Sequence, residues 1–286
     1  MKKLNLATTA AVATVMSATG AYADLSLGGA IATVFTSGDG TSGYSQYGTS
    51  YTINIDYTTT LDNGMGMATN VDVTPGGTGS SVNYLMTMSS DLGSVFFGTD
   101  FASAVDNNDY AQGAARYQTN GQIISSGWND GDAASGNGIG VSTSVGPASV
   151  KMTYGSGSDR AMSIAATMTV AGASIKAGNT DFDTAASDQG FVSVGYSVGG
   201  FNLGWNHFDM GDDTYTQMGA STTVAGLGVG VSVADLSDND DNDHDAMGIH
   251  VSGDLGGAFW VVDYISEDNG AGTETDNWYL TVGTGF

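Results

Sequence analysis

The chain has 286 residues, a formal net charge of −24 at pH 7 and no cysteine. The acidic excess excludes nucleic acid as a partner, because too few cations are present to displace counterions from phosphates. The lack of cysteine excludes a disulfide framework, and no run of about 18 apolar residues is present that would form a membrane-spanning helix.

Residues 1–23 have the pattern of a secretory signal peptide. Lys2 and Lys3 precede a short apolar stretch, and the small residues Ala21 and Ala23 lie just before a predicted cleavage after Ala23. We therefore expect export, with residues 24–286 as the mature chain. Its charge would be 4 − 30 = −26, because two of the six basic residues are removed and all thirty acidic ones remain.

Apolar residues alternate with small or polar ones through almost all of the mature chain, and this period of two is typical of β-strands. In TSYTINIDYT, for example, Tyr51, Ile53 and Ile55 share one face, and Asn54 and Asp56 share the other. Sixteen strands are predicted, at 25–36, 49–60, 65–73, 81–90, 94–100, 139–145, 148–155, 160–170, 173–180, 190–198, 201–208, 214–224, 226–235, 246–253, 257–266 and 275–286.

The connections between these segments alternate in length. Seven are tight and glycine-rich, as in hairpin turns, at 61–64, 91–93, 146–147, 171–172, 199–200, 225–226 and 254–257. The others are longer and polar, at 37–48, 74–80, 101–138, 155–159, 181–189, 210–213, 237–245 and after Glu267. Short turns at one rim and long loops at the other are typical of a transmembrane β-barrel with an even number of strands.

The sequence therefore predicts an all-β fold, a 16-stranded antiparallel transmembrane β-barrel. Lipid offers backbone groups no hydrogen-bond partner, so only a closed sheet could place these segments in a bilayer. We expect the apolar face to contact lipid and the inward glycine, serine, threonine, asparagine and aspartate residues to face water. Outward aromatic residues near strand ends fit interfacial girdles, at Tyr51, Tyr57, Tyr154, Trp205, Tyr264 and Trp278.

The third long connection, residues 101–138, is several times longer than the other loops, and a loop of this length in a compact domain is usually functional. A signal peptide, sixteen strands, a dominant third loop and a terminal Phe286 together resemble the general (non-specific) diffusion porins of Gram-negative outer membranes. The sequence is rich in glycine and aspartate and has short DNG and DLG turns, and in this it resembles the alphaproteobacterial members of that family.

The resemblance implies an outer-membrane channel rather than an enzyme, with no cofactor required. It implies that the third loop folds into the pore and that the chain forms a homotrimer in contact with lipid and lipopolysaccharide, passing small hydrophilic solutes and ions. Phe286 would be the assembly signal that closes the last strand. By the same resemblance, the loop residues that would line the pore constriction are Asp106, Asp109, Arg116, Asp130 and Asp132.

Strand parity assigns further residues to the pore wall. Asp56 and Asp72 fall on inward positions of the early strands, and Lys151 and Lys176 are the inward wall cations. Family members usually carry a cluster of arginines and lysines on the wall that faces the loop, and the early strands of this sequence have no such cations. Carboxylates along a confined aqueous path favour cations, so the sequence predicts a cation-preferring pore.

One acidic loop suggests a Ca²⁺ site, because hard oxygen ligands lie close together at Asp238, Asp240, Asp241, Asp243 and Asp245. It lacks the order of an EF-hand, and a solvated acidic loop is the alternative interpretation. His207, His244 and His250 fall in three different predicted elements without a zinc-binding spacing.

Three other functions are alternatives to the diffusion channel. A substrate-specific channel, for sugars for instance, would use aromatic residues along its path, and Tyr110, Tyr117 and Trp128 lie in the long loop. An enzyme barrel would need a nucleophile and a base at one site, and no motif marks them. A secreted Ca²⁺-binding β-roll would show a nonapeptide period, which is absent from the sequence.

Overall fold

The computed structural model of the chain describes residues 23–38, 45–75, 80–99, 104, 137–155, 161–182, 188–211, 213–237, 243–268 and 274–285. Within these ranges no helix is long and apolar enough to cross a membrane. The predicted signal peptide lies outside the described residues except for Ala23, which begins the first strand.

The described residues form sixteen β-strands, and their bounds agree with the predicted segments to within four residues. They are β1 (Ala23–Gly38), β2 (Ser45–Thr60), β3 (Gly66–Pro75), β4 (Ser80–Ser90), β5 (Gly93–Gly98), β6 (Gly138–Val145), β7 (Ala148–Gly155), β8 (Ala161–Val170), β9 (Ala173–Phe182), β10 (Gln189–Val198), β11 (Phe201–Met210), β12 (Asp213–Val224), β13 (Leu227–Ser237), β14 (His244–Asp254), β15 (Ala258–Asp268) and β16 (Glu274–Gly285).

The strands close into a single antiparallel barrel, in which each strand pairs with its neighbours in sequence and β1 pairs with β16. At this seam Ala30 lies opposite Gly285, and Gly38 lies opposite Asn277. Gly283 permits the close contact, since a Cβ there would lie 2.8 Å from the carbonyl oxygen of Ile31. The closed seam leaves no exposed strand edge. The predicted 16-stranded antiparallel barrel is confirmed.

Tight turns join alternate strand pairs at one rim of the barrel, which we call the turn rim. The two-residue turns at 171–172, 199–200 and 225–226 have positive φ at both positions, as in the dipeptide of Ala171 (φ 51°) and Gly172 (φ 86°). Such turns match the right-handed twist of the paired strands, which favours them in hairpins. The rim at the opposite end, where the longer connections begin and end, is called the loop rim.

Alternating burial separates the two faces of the sheet. Along β13, Ser232, Ala234 and Leu236 are buried, whereas Val231 and Val233, which alternate with them, are 50% and 47% exposed. In a closed barrel the exposed apolar face is the outer one, because side chains converge only inside. The outer face thus carries the exposed large apolar residues, as the sequence predicted.

Two connections differ from the predicted pattern. β2 begins at Ser45 rather than at residue 49, because Ser45 and Gln46 continue the backbone pairing with β1 beyond a register shift at Val34/Phe35. The connection 210–213, predicted among the longer polar loops, is shorter than expected, because β11 extends to Met210 and β12 begins at Asp213, and these two residues pair with each other. Backbone pairing does not require apolar side chains. The strands at both connections therefore extend into polar sequence that was predicted to form loops.

Candidate pore lining

The inner face of β2 and β3 carries a grid of polar side chains. Asn54 lies opposite Asp72, and Asp56 lies opposite Asn70. The Asn70 amide donates a 2.8 Å hydrogen bond to Asp56 Oδ1, and Ser26 Oγ on β1 donates to Asp56 Oδ2 at 3.5 Å. These contacts fix the Asp56 carboxylate against the wall. The structure therefore places Asp56 and Asp72 on the inner face of the sheet, and their role in lining a pore stays a prediction.

A second group of ionisable side chains, which was not predicted from the sequence, lies on the inner face of β14 and β15. His250 Nδ1 lies 2.7 Å from Asp263 Oδ1, and His244 Nδ1 lies 3.7 Å from Glu267 Oε1. Asp263 is only 1% exposed. The prediction that His244 and His250 fall in different elements is wrong, because β14 begins at His244. The alternation of Asp263 and Glu267 with outward residues was the signal that could have revealed them.

Lys151 and Lys176 also lie on the inner face of the barrel, and their role as pore-wall cations stays a prediction. They share one cavity of about 330 Å³ whose other described lining residues are uncharged. Lys151 Nζ lies 5.4 Å from the centre of the Phe96 ring, and Lys176 Nζ lies 5.3 Å from that of Phe191. Within the described ranges these two lysines are the full set of lysine and arginine side chains.

The described charges on the wall are segregated. The lysines lie on β7 and β9, whereas Asp56, Asp72 and Asp263 lie on β2, β3 and β15. Sixteen strands spaced about 4.8 Å apart and tilted by about 45° give a backbone diameter of roughly 35 Å. β3 and β7 are the nearest pair among these strands and lie a quarter of the circumference apart, a backbone distance of roughly 25 Å. This exceeds the Debye length of about 10 Å at 0.1 M salt. A passing ion would therefore interact electrostatically with the charges of one wall at a time.

The inner wall near the loop rim is less polar than expected. Five inward side chains on adjacent or nearby strands form a buried apolar cluster, with Phe191 stacked on Phe208 at 5.2 Å and Tyr215 next to Phe208 at 6.4 Å between ring centres. Leu236 and Ile265 are the other two large members, all five are at most 3% exposed, and four alanines belong to the same cluster. The expectation that inward residues would be small or polar and face water is wrong for this part of the wall.

Ala104 belongs to the same buried cluster and lies in the long third connection, of which the structure describes residues 104, 137 and 138. Its backbone N–H donates a 2.8 Å hydrogen bond to Oγ1 of Thr153 on β7. Thr153 is buried and lies two residues along the strand from Lys151, on the same face. At this point, therefore, the connection contacts the inner wall.

Several predicted site residues lie outside the described residues. They are the constriction residues Asp106, Asp109, Arg116, Asp130 and Asp132, the acidic-loop residues Asp238, Asp240 and Asp241, and the terminal Phe286. Of the suggested Ca²⁺ ligands, Asp243 accepts a 2.9 Å hydrogen bond from Ser237 Oγ, and Asp245 lies opposite Asp235 and Asp268 on the outer face. Across the described part of the chain, no three histidine, cysteine, aspartate or glutamate residues group in a way that could hold a metal ion.

No family model and no curated protein sequence matches this chain. Solved structures do match its fold. A loop-deletion variant of OmpT, an outer membrane protein of Vibrio cholerae, has a TM-score of 0.71 at 13% identity, over 92% of this chain and 99% of that one. A variant of the Rh. blastica porin has a TM-score of 0.68 at 18% identity, over 92% and 100%. Another porin structure has a TM-score of 0.72 at 15% identity, with the same coverage. The chain therefore has the fold of these outer-membrane barrels.

Proposed function

We propose that the chain forms a water-filled, cation-preferring diffusion channel for small hydrophilic solutes in a Gram-negative outer membrane. One observation carries the proposal, namely a closed barrel whose outer face is apolar and whose inner wall holds carboxylates on β2, β3 and β15. The barrel's structural similarity to a porin and to an outer membrane protein supports it.

The outer face supports placement in a bilayer. Large apolar side chains are exposed around the whole barrel, for instance Ile31 (46%), Ile139 (50%), Ile164 (44%) and Val231 (50%). Apolar patches on soluble monomers rarely exceed a few hundred Å², so a continuous belt of this kind would be unstable in water. Trp278, 51% exposed, packs on Tyr264 at 4.7 Å between ring centres, as aromatic residues do at a membrane interface.

We further propose the homotrimer and the assembly signal that the family resemblance implies. Ala166 and Ala177 lie opposite each other and are both exposed on the outer face of β8 and β9, which would permit close packing between copies. Phe286 would follow β16 directly at the closing seam. Lipid and lipopolysaccharide would contact the remaining outer face.

A liposome swelling assay tests the channel. Liposomes that contain the purified protein should swell in neutral solutes, with rates that fall smoothly as solute size rises and that do not depend on solute chemistry at equal size. This result is expected because a water-filled path selects by size and charge rather than by a binding step. A steep preference for one class of sugar would instead support the substrate-specific alternative, and absence of swelling with correctly folded protein would contradict a channel.

A further inference from the structure

One histidine–aspartate pair lies on the inner face of the barrel wall. His250 and Asp263 are directly opposite each other on β14 and β15, and His250 Nδ1 lies 2.7 Å from Asp263 Oδ1. The Asp263 side chain is 2% exposed, and its other oxygen, Oδ2, is buried and accepts no hydrogen bond from the described part of the chain. His250 is therefore the group that holds this carboxylate and can balance its charge.

The groups that face this pair from the neighbouring strands carry no charge near neutral pH. On β13, Gly230 lies opposite the histidine, and on β16, Tyr279 lies opposite the aspartate. A tyrosine hydroxyl stays protonated below about pH 9. The other described ionisable side chains of matching parity on β14 and β15 are His244 and Glu267 towards the loop rim and Asp254 at the turn rim. Each is four or more residues along its strand from the pair, or at least about 13 Å, which exceeds the Debye length of about 10 Å at 0.1 M salt.

The histidine can change its charge without losing its contact with the aspartate. A carboxylate only accepts hydrogen bonds, so the Nδ1–H of His250 donates to Asp263, and a second proton binds at Nε2. The His250 side chain is 21% exposed on the inner face, so water in the lumen reaches it. Histidine is the side chain whose charge ordinarily changes between about pH 5 and pH 8. The pair is therefore negative when the imidazole is neutral, and it has no net charge when the imidazole is protonated.

The pair lies away from both rims of the barrel. β14 runs from His244 at the loop rim to Asp254 at the turn rim, and His250 lies between them. The ion pair of His244 with Glu267, by contrast, lies at the loop rim. A charge between the rims acts on ions while the barrel encloses their aqueous path, where low-dielectric walls focus the field. A change of charge at His250 thus occurs where the wall acts on passing ions.

From this arrangement we propose that His250 sets the ion selectivity of the pore according to pH. When the imidazole is neutral, the Asp263 carboxylate adds to the negative wall on β2 and β3 and strengthens cation preference. When the imidazole is protonated, it cancels that carboxylate from a position closer to the lumen, and cation preference weakens. This inference rests on the proposed function, because it requires an aqueous ion path through the barrel.

The test uses the intact protein in planar bilayers and measures the ratio of potassium to chloride permeability at about pH 8.5 and at about pH 5.5. Carboxylates of ordinary acidity stay ionised at the lower value, and tyrosines stay neutral at the higher one. The ratio of the unaltered channel should fall by roughly 1.5- to 2-fold from the alkaline to the acidic condition, because the charge of a wall carboxylate is cancelled.

Two substitutions should change the ratio in opposite conditions. His250→Asn does not titrate and keeps an amide donor for Asp263, so its ratio in the acidic condition should remain at the alkaline value of the unaltered channel. Asp263→Asn removes the carboxylate, so its ratio should be roughly 1.5- to 2-fold lower than that of the unaltered channel in the alkaline condition.

The variant His207→Asn is the matched control. His207 lies on β11 between the buried inward residues Asn206 and Phe208, so it belongs to the outer face, and its Nδ1 lies 2.8 Å from Thr216 Oγ1. The control removes a hydrogen-bonded histidine from the lipid-facing side and should keep the full pH-dependent change. Heat-modifiable gel mobility shows for each variant whether the barrel is folded.

Three results would overturn the proposal. They are a ratio of the unaltered channel that does not change with pH, a pH-dependent change that persists undiminished in His250→Asn, and an Asp263→Asn variant that matches the unaltered channel in the alkaline condition. The two variants are independent, so either one that folds decides the question. Loss of the pH-dependent change in His207→Asn would also contradict the assignment to His250. Failure of the proposed function is separate, since it would appear as absent conductance, or as anion preference of the unaltered channel in the alkaline condition.

Discussion

Replacing Asp56 and Asp72 together by asparagine should lower the ratio of potassium to chloride permeability by roughly threefold. Both carboxylates lie on the inner wall, and Asp56 is held there by Asn70 and Ser26. A unit charge about 5 Å from a passing cation contributes about 0.8 kcal/mol in water, which concentrates the cation roughly fourfold before screening. Reversal potentials in a potassium chloride gradient across a planar bilayer measure this change directly.

A matched control distinguishes the effect of carboxylates on the inner wall from the effect of the protein's net charge. Asp62 and Asp91 are exposed carboxylates in the short turns after β2 and β4, outside the barrel wall. The variant Asp62→Asn/Asp91→Asn removes the same net charge and should leave the permeability ratio nearly unchanged. If the control shifts the ratio as much as the wall variant does, the assignment of selectivity to the β2–β3 wall is wrong.

A second large effect is expected from placing one lysine on either face of the same strand. Ile53 lies near the middle of β2, is 38% exposed and belongs to the outer face, whereas the adjacent Asn54 faces inward opposite Asp72. A lysine on the lipid face at the bilayer midplane costs about 2–4 kcal/mol, while an inward one meets water and a carboxylate. We expect Ile53→Lys to reduce folding into vesicles sharply and Asn54→Lys to fold nearly as well as the unaltered protein.

The measurement is the fraction of protein that acquires the heat-modifiable gel mobility of a folded barrel in preformed vesicles, with unfolding in urea as a second readout. Asn54→Lys offers an internal check, since the same substitution should also weaken cation preference if the side chain lines the pore. Equal folding yields for the two variants would contradict the assignment of the outer face to lipid.

Much of the fold was predictable because period-two alternation is a local property. In β13 the valines and the small residues alternate without exception in VGVSV, so the two faces can be assigned without knowledge of any partner strand. The turn glycines then fix where strands end, as at Gly172 and Gly226, whose positive φ values suit glycine. Strand ends in polar sequence, such as Ser45, were missed because backbone pairing there leaves no pattern in the side chains.

The pore lining was predictable in part. Asp56, Asp72, Lys151 and Lys176 could be assigned to the wall from parity alone, since an isolated charge on the polar face of an amphipathic strand points inward. The contact of Phe191 with Phe208, and of His250 with Asp263, depends on cross-strand register, which the sequence of one strand does not contain. Phe191, Phe208 and Leu236 do sit on otherwise polar faces near strand ends, and that exception to the alternation was the available signal.

The apolar cluster also shows why inward parity does not by itself mean contact with water. Phe208 and Tyr215 are 1% and 0% exposed although they project from the inner face of the barrel. Ala104 packs in the same cluster, at the start of the long third connection. Contacts of this kind join segments far apart in sequence, so neither composition nor periodicity could predict them.

The reversal potential of the unaltered protein tests the central claim most directly. In a planar bilayer with a potassium chloride gradient, the proposed channel should give discrete conductance steps and a reversal potential whose sign reports cation preference, because carboxylates line β2, β3 and β15. Conductance with a reversal potential near zero, or of the sign for anion preference, would contradict the account.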